Sequence, residues 1–409
     1  MKHTTLQPTT TSASFPVDAV VAGYLGVDIA PGFPAGRPAM PAAELFRPGK
    51  LIETEGLVFS LGGVVANTGL AMKRFGQRVD LMGCVGCDSL GDIVLAELKR
   101  HHAARDIRKT RRAGTAYGIV IAPPGMDRFF FEDPGCNAAF TAKDIDYQTV
   151  ARSRLFHFGY PPLMQKLWAA DGKELGKLFK RVQQLGVVTS LDMTLPDSNS
   201  PAGTADWRKI LAGTLPHVDI FLPSIEEALF MLEPERYAHI LARAADRDMV
   251  DEIPQDLYEP LAAQVLALGA KVVMLKAGHR GAYLQTGDVA KLNSATALQL
   301  PADNWSHRKL WIPSFPADPR RFKNACGAGD CAIAGFLTAL LKGLGIEQAG
   351  RCAMLAGRDN LHGHDAFSGL TNWSAMIRSG GSPKGRSHPG LPENRGSYSP
   401  PRTRETRKQ

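Results

Sequence analysis

The segment from Asn324 to Gly343, NACGAGDCAIAGFLTALLKG, decides how this chain is read. Gly327-Ala328-Gly329 forms a small, flexible turn. Asp330 opens a helix, because a nearly unbroken apolar run follows it (Ala332, Ile333, Ala334, Phe336, Leu337, Ala339, Leu340, Leu341). Lys342 and Gly343 supply the signals of a helix C-terminus. A helix that is apolar all round is expected to be buried. Glycines before its first turn leave free backbone N–H groups at its positive end, which makes an anion site. A carboxylate in that place repels phosphate. It has a purpose if Asp330 takes a proton from a hydroxyl attacking that phosphate. The simpler alternative is that Asp330 caps the helix and the glycines only turn the chain. The rest of the sequence has to separate the two.

Working outward, the same arrangement recurs. Residues 61–76, LGGVVANTGLAMKRFG, place Gly62 and Gly63 ahead of Asn67 and an apolar-periodic helix. The strand VDLMGCVG and the helix CDSLGDIVLAELKR follow, with Asp88 or Ser89 as cap. Upstream, 18–29 (DAVVAGYLGVDI) reads as a buried first strand ending near Asp28. Downstream, LFHF, VVTSLDM, VDIFLPS and AKVVMLKAG read as buried strands, with helices over Leu163–Leu185, Trp207–Leu215, 225–232 and Leu257–Leu268 between them. This alternation predicts an α/β fold with a mostly parallel sheet covered by helices. Residues 31–60 and the hairpin-like 114–135 suit a flap, 287–323 is irregular, and helices are expected over 346–361 and 370–378. Asp28, the Gly62-Gly63 pair, Asp192, Ser224, Gly278 and the GAGD turn all fall at strand ends or helix starts, the places where α/β sheets bind ligands.

Composition excludes several classes. The chain has 409 residues, 44% hydrophobic and 22% charged, which are ordinary globular values. The formal net charge of +8 is concentrated at one end: residues 379–409 hold seven Lys/Arg against two Asp/Glu, leaving about +3 for the rest. With no zinc-finger or RNA-binding signature, nucleic acid is not an expected partner. No apolar run reaches the ~20 residues needed to span a membrane. The N-terminal MKHTTLQPTTTSASFPVD lacks a signal-peptide core, so the expected location is cytoplasmic. Residues 1–17 and 379–409 are expected to be disordered. Cys84 and Cys87 form a C-x-x-C without a second pair, and Cys84 is read as a small core residue.

Two separated motifs, LGGVVANTGLAMKRFGQRVDLMGCVGCDSLG and NACGAGDCAIAGFL, resemble those of the ribokinase-like, or PfkB, carbohydrate kinases. The resemblance spans about residues 18–375. It implies a three-layer αβα fold with a small β-sheet lid from 31–60 and 114–135, within one kinase domain over 18–378. It implies transfer of the ATP γ-phosphoryl group, with Mg2+, to a hydroxyl of a sugar or nucleoside, and a homodimer paired through the lid. Asp330 is then the base and Gly327, Ala328 and Gly329 the anion hole. Asp28, Gly62, Gly63, Asn67 and Asp192 match acceptor-binding positions. Lys276, Gly278, Gly281 and Asn324 match nucleotide-binding positions, and Glu227 a metal-associated one. Three positions depart from the family pattern: Asn324-Ala325 stands for Asp-Thr, Ser224 replaces the Asn of N-x-x-E, and Val64 follows the glycine pair where ribokinases carry Lys. These departures leave open a nucleoside kinase or a sugar sensor without catalysis. The G-x-x-x-x-G-K-[ST] loop, the protein-kinase motifs and the dinucleotide fingerprint are missing, so other phosphoryl-transfer and dehydrogenase readings fail.

Overall fold

The computed structural model describes residues 15–34, 36–39, 41–124, 129–245, 247–323 and 325–380. Asn324, the expected N-terminal arm before residue 15 and the basic tail from 381 lie outside them.

The first apolar stretch is not one strand but two. β1 (Val17–Gly23) enters the central sheet, and β2 (Gly26–Pro31) leaves it for a second sheet. The crossing is held at Leu25, whose N–H and C=O are both bonded by the Asn137 side chain, at 3.3 and 2.9 Å. Asp28 therefore stands on the smaller sheet rather than at the tip of a core strand. β3 (Leu57–Gly62) runs antiparallel to β2, and α1 (Val64–Arg74) follows at once. β4 (Val79–Gly86), α2 (Ser89–Arg100, capped by Asp88) and β5 (Ile107–Thr110) complete the first parallel units. β6 (Ala116–Ile121) and β7 (Phe129–Asp133) pair antiparallel and join the smaller sheet.

The chain then returns to the core through β8 (Ser153–Gly159). The helix expected over Leu163–Leu185 is broken. Ala170, Asp171 and Gly172 all take positive φ, so only α3 (Lys173–Gln183) forms a full helix there. β9 (Val188–Leu191), α4 (Trp207–Thr214), β10 (Ile220–Phe221), α5 (Ile225–Leu232), α6 (Pro234–Ala244), α7 (Tyr258–Ala267) and β11 (Val272–Lys276) continue the winding. β12 (Ala282–Thr286) and β13 (Lys309–Ile312) turn back antiparallel. β13 lies inside the stretch read as irregular; four residues amid prolines and polar groups give too short a periodic signal. α8 (Ala328–Leu341), α9 (Ile346–Asn360) and α10 (Trp373–Ser379) close the fold.

The large sheet has the order β13-β12-β11-β10-β9-β8-β1-β4-β5, and the small one β3-β2-β6-β7. Two apolar clusters cover the two faces of the large sheet. One gathers α1, α8 and α9, and the other α3, α4, α5 and α7. Alternate residues of β1 divide between them, with Ala19 and Val21 on one side and Val20 and Ala22 on the other, as a strand buried on both faces requires. Cys84 sits in the core, its Sγ 3.3 Å from that of Cys136, while Cys87 is exposed.

One polar group is enclosed in the middle of the sheet. His157 on β8 faces Ser190 on β9, with Nδ1 2.9 Å from the hydroxyl and no solvent exposure. Burial, assisted by the Lys276 charge, pushes its pKa down to about 3. Below about pH 6.5 the unfolded chain takes a proton that the folded protein refuses. This contribution to stability is lost as pH falls from about 6.5 toward 3. Buried carboxyls elsewhere titrate with the opposite sign, so the effect is isolated as a difference. Wild type minus His157→Gln, measured by urea unfolding, should lose about 1.4 kcal/mol per pH unit below pH 6. A difference independent of pH would contradict the neutral buried imidazole.

Candidate active site

α8 starts two residues earlier than its apolar run suggests. Gly327 is its N-cap, at φ +73°, and Ala328 and Gly329 are already helical, so Asp330 is the third residue of the first turn and does not cap. A Cβ at Gly327 would lie 2.5 Å from that of Ala366, so both conformation and space require glycine. The Ala328 N–H is drawn to Ala325 O at 3.3 Å. Among the described residues no acceptor is found for the N–H groups of Gly327, Gly329 and Asp330. Three donors at the positive end of a buried helix can receive an anion.

The Asp330 carboxylate is 4% exposed and held from three sides. Oδ2 accepts from Asn67 Nδ2 at 3.0 Å and from the Tyr160 hydroxyl at 2.8 Å, and Oδ1 from Thr68 Oγ1 at 3.2 Å. Burial raises its pKa, against the three hydrogen bonds and the Lys276 charge, which pull it down. Asn67 and Thr68 come from α1, which begins immediately after Gly63. Gly63 has φ +87°, and a Cβ there would meet Tyr24 O at 2.4 Å. That close approach lets the Val65 N–H reach Tyr24 O and sets the angle at which α1 presents Asn67. Asn67 Oδ1 is buried without a partner among the described residues.

Tyr160 escaped the sequence reading. It follows β8 directly, in the left-handed conformation at φ +64°, ahead of Pro161-Pro162. A non-glycine residue held there costs energy. The one signal in the sequence was its place at the carboxyl end of a core strand. Thr68, beside Asn67, was missed too.

A second cluster lies under the turn. Lys276, at the end of β11, bonds Asp192 Oδ1 at 2.6 Å and also the Leu222 carbonyl. Its Cε would be 3.6 Å from a Cβ at Gly329, so the side chain runs directly beneath the helix start. Burial works against its proton, but the charges of Asp192, Glu227 and Asp330 outweigh it and hold the ammonium above its usual range. Glu227 closes a capping box at the start of α5: Ser224 N donates to Glu227 Oε2 at 2.7 Å, and Glu227 N to Ser224 Oγ at 3.1 Å. Ser224 thus serves well as a cap where Asn was expected. No group of three or more His, Cys, Asp or Glu among the described residues could hold a metal. Gly278 and Gly281 form the β11–β12 turn, where Ala277 N bonds Gly281 O at 2.8 Å; no hydrogen bond joins them to the Asp330 cluster.

Asp28 reaches toward α8 from the small sheet. Its pKa is raised to about 6 by burial and by the Asp330 charge. Gly62 leaves it room, since a Cβ there would be 2.7 Å from Asp28 Oδ1.

The cleft thus joins a helix-start anion site, an oriented carboxylate and an acid on a separate small sheet. The model of the pfkB family carbohydrate kinases matches residues 38–362. The chain belongs to that family. As a carbohydrate kinase it is a phosphotransferase with an alcohol group as acceptor. It is similar to an uncharacterized sugar kinase of Archaeoglobus fulgidus, 24% identical over 303 residues, which are 74% of this chain and 98% of the relative. It also resembles a probable fructokinase-2 of Arabidopsis thaliana, 21% identical over 58% of this chain and 66% of the relative. The fold matches that of Arabidopsis thaliana ribokinase complexed with ribose and ATP, with a TM-score of 0.65 and 17% identity, over 90% of this chain and 99% of that one.

The Tyr160 hydroxyl lowers the pKa of Asp330, so removing it should raise that pKa. In Tyr160→Phe the acid limb of the kcat/KM profile should move to higher pH. At pH 7, kcat should fall about tenfold, the loss of roughly one charged hydrogen bond. An unshifted limb in steady-state assays would argue against this contact.

Proposed function

We propose that this carbohydrate kinase transfers the ATP γ-phosphoryl group to a sugar hydroxyl with Asp330 as general base. The observation that carries the reading is the Asp330 carboxylate, buried beside free N–H groups at the start of α8 and oriented by Asn67, Thr68 and Tyr160. Oδ1 has one side-chain partner, Thr68, and keeps a lone pair for an incoming hydroxyl. Burial raises its basicity, and the three hydrogen bonds and the Lys276 charge pull the other way.

In this reading Gly327, Gly329 and Asp330 donate backbone N–H groups to the transferring phosphoryl, and Ala328 shapes the turn. The ammonium of Lys276 adds positive charge beneath. Asp192 holds Lys276 rather than touching the acceptor. Gly278 and Gly281 shape the turn that receives nucleotide; Asn324, expected to contribute there, lies outside the described residues. ATP enters as its Mg2+ complex. An ion of this kind is carried largely on substrate phosphates, and Glu227, whose charge acts on Lys276, is the carboxylate proposed to face it. Asp28, Gly62, Gly63 and Asn67 line the acceptor side, and the small sheet serves as a lid that excludes water.

Asp330→Asn should lower kcat by 10²–10⁴, the usual worth of a positioned base, while ATP still binds. A panel of sugars and nucleosides with ATP checks this, with nucleotide binding followed by thermal shift. Full activity in the variant would sink the role given to Asp330. Acceptor-dependent transfer by the wild type would exclude a sensor without catalysis.

The lid also bears exposed apolar side chains. On the face away from Asp28, Phe46, Leu57, Phe59 and Phe131 are each about half exposed, an uncommon concentration for a surface facing only water. Their grouping supports pairing of two copies through the lid. A double substitution, Phe59→Ser with Phe131→Ser, should convert a dimer to a monomer in light scattering. A wild type that is monomeric at micromolar concentration would rule this assembly out.

A further inference from the structure

The register of the lid sheet sets four residues in one row. Asp28 pairs with Ser60 on one side and Gly118 on the other, and Gly118 pairs with Glu132. Residues in register share a face, so Asp28 and Glu132 point the same way. Gly118 between them leaves the face open. A Cβ there would lie 2.7 Å from Glu132 Oε2 and 3.0 Å from Asp28 Oδ1, so the two oxygens are no more than about 6 Å apart. The face is the one turned to the cleft, because the Asp330 charge acts on Asp28.

Glu132 is exposed along its stem, but its carboxyl is turned in onto the hydroxyl of Tyr24, a residue 3% exposed. Tyr24 lies against Gly63 and 6.4 Å from the Tyr160 ring, so it links the lid acid to the Asp330 anchor. The Asp28 carboxylate has no hydrogen-bond or salt-bridge partner among the described residues, and Glu132 has no cation. Val64, the residue after the glycine pair, is fully buried and brings no charge. Burial raises Asp28 to about 6 and Glu132 to about 7, so at neutral pH the pair shares a partial proton and carries more than one negative charge; with Asp330 on α8 it still makes the acceptor side of the cleft negative. Carboxylates accept hydrogen bonds from hydroxyl and ammonium groups and repel phosphate or carboxylate.

We infer that Glu132, oriented by Tyr24, is a specificity-determining residue that acts with Asp28 to select a polyhydroxy acceptor free of negative charge. The inference rests on the sugar-kinase reading above. The acceptor donates hydroxyls to the two lid carboxylates while a further hydroxyl meets Asp330. Sugar phosphates and sugar acids are excluded by like charge, and amino sugars are tolerated. Tyr24 is a positioning residue: it touches Glu132 and not the acceptor.

The test is a steady-state panel with ATP and four acceptor types: neutral ketoses and aldoses, a hexosamine, a hexose 6-phosphate and an aldonic acid. Wild type should favour neutral or amino acceptors over anionic ones by at least about a hundredfold in kcat/KM. Glu132→Gln should raise the acceptor KM about tenfold with kcat and the ATP KM nearly unchanged. Tyr24→Phe should do the same more weakly. Glu132→Lys should narrow the discrimination against the hexose phosphate. Preference of wild type for an anionic acceptor, or an acceptor KM unmoved in Glu132→Gln, overturns the inference and leaves the kinase reading standing. No transfer to any acceptor in the panel sinks both.

Discussion

Everything at this cleft depends on satisfying one carboxylate that has been taken out of water. Asp330 is buried at the start of α8, and an unpaired buried charge would cost several kcal/mol or be neutralised by a proton. Three side-chain donors and the positive end of a helix offset that cost. The donors come from far apart in sequence: Asn67 and Thr68 on α1, and Tyr160 after β8. The carboxylate can be satisfied only when α1, α8 and the end of β8 are docked together. Stability and the geometry of the proposed chemistry are therefore the same constraint.

The surrounding charges follow from that constraint. Asp192, Glu227, Asp330 and Asp28 crowd one region, with Lys276 the cation that faces them from within the sheet. Lys276 is bonded to Asp192 and to a backbone carbonyl, and it runs beneath Gly329. It tempers the repulsion among the acids and lends positive potential to the helix start. A neutral side chain there would leave Asp192 buried and unpaired, so the pair is best seen as one unit.

The large sheet was legible in the sequence because its strands are buried on both faces and read as apolar runs. The Gly63 and Gly327 turns were legible because turn chemistry marks them, whereas Asp28, read at a strand tip, stands inside β2. The rest depended on information that no local window carries. β2 could not be separated from β1, since the break at Tyr24-Leu25 is apolar and is held by Asn137, more than a hundred residues away. Tyr160 reads as an ordinary aromatic until β8 is placed beside β1. Glu132 hides in RFFFE as one acid among phenylalanines, and its partners appear only with the register of β6 and β7.

The lid shows why such residues matter together. A four-stranded sheet with Phe59 and Phe131 exposed on one face and Asp28 and Glu132 on the other has two incompatible surfaces, and each needs a different neighbour. The apolar surface is relieved by burial against another apolar surface, and the acidic one by hydroxyl donors. Asp28 sits in the small sheet and within the Asp330 field, so on the proposed reading an acceptor that satisfies Asp28 and Glu132 would bridge the small sheet and α8. Under that proposal, binding energy from hydroxyls remote from the reaction would order the groups that carry it out.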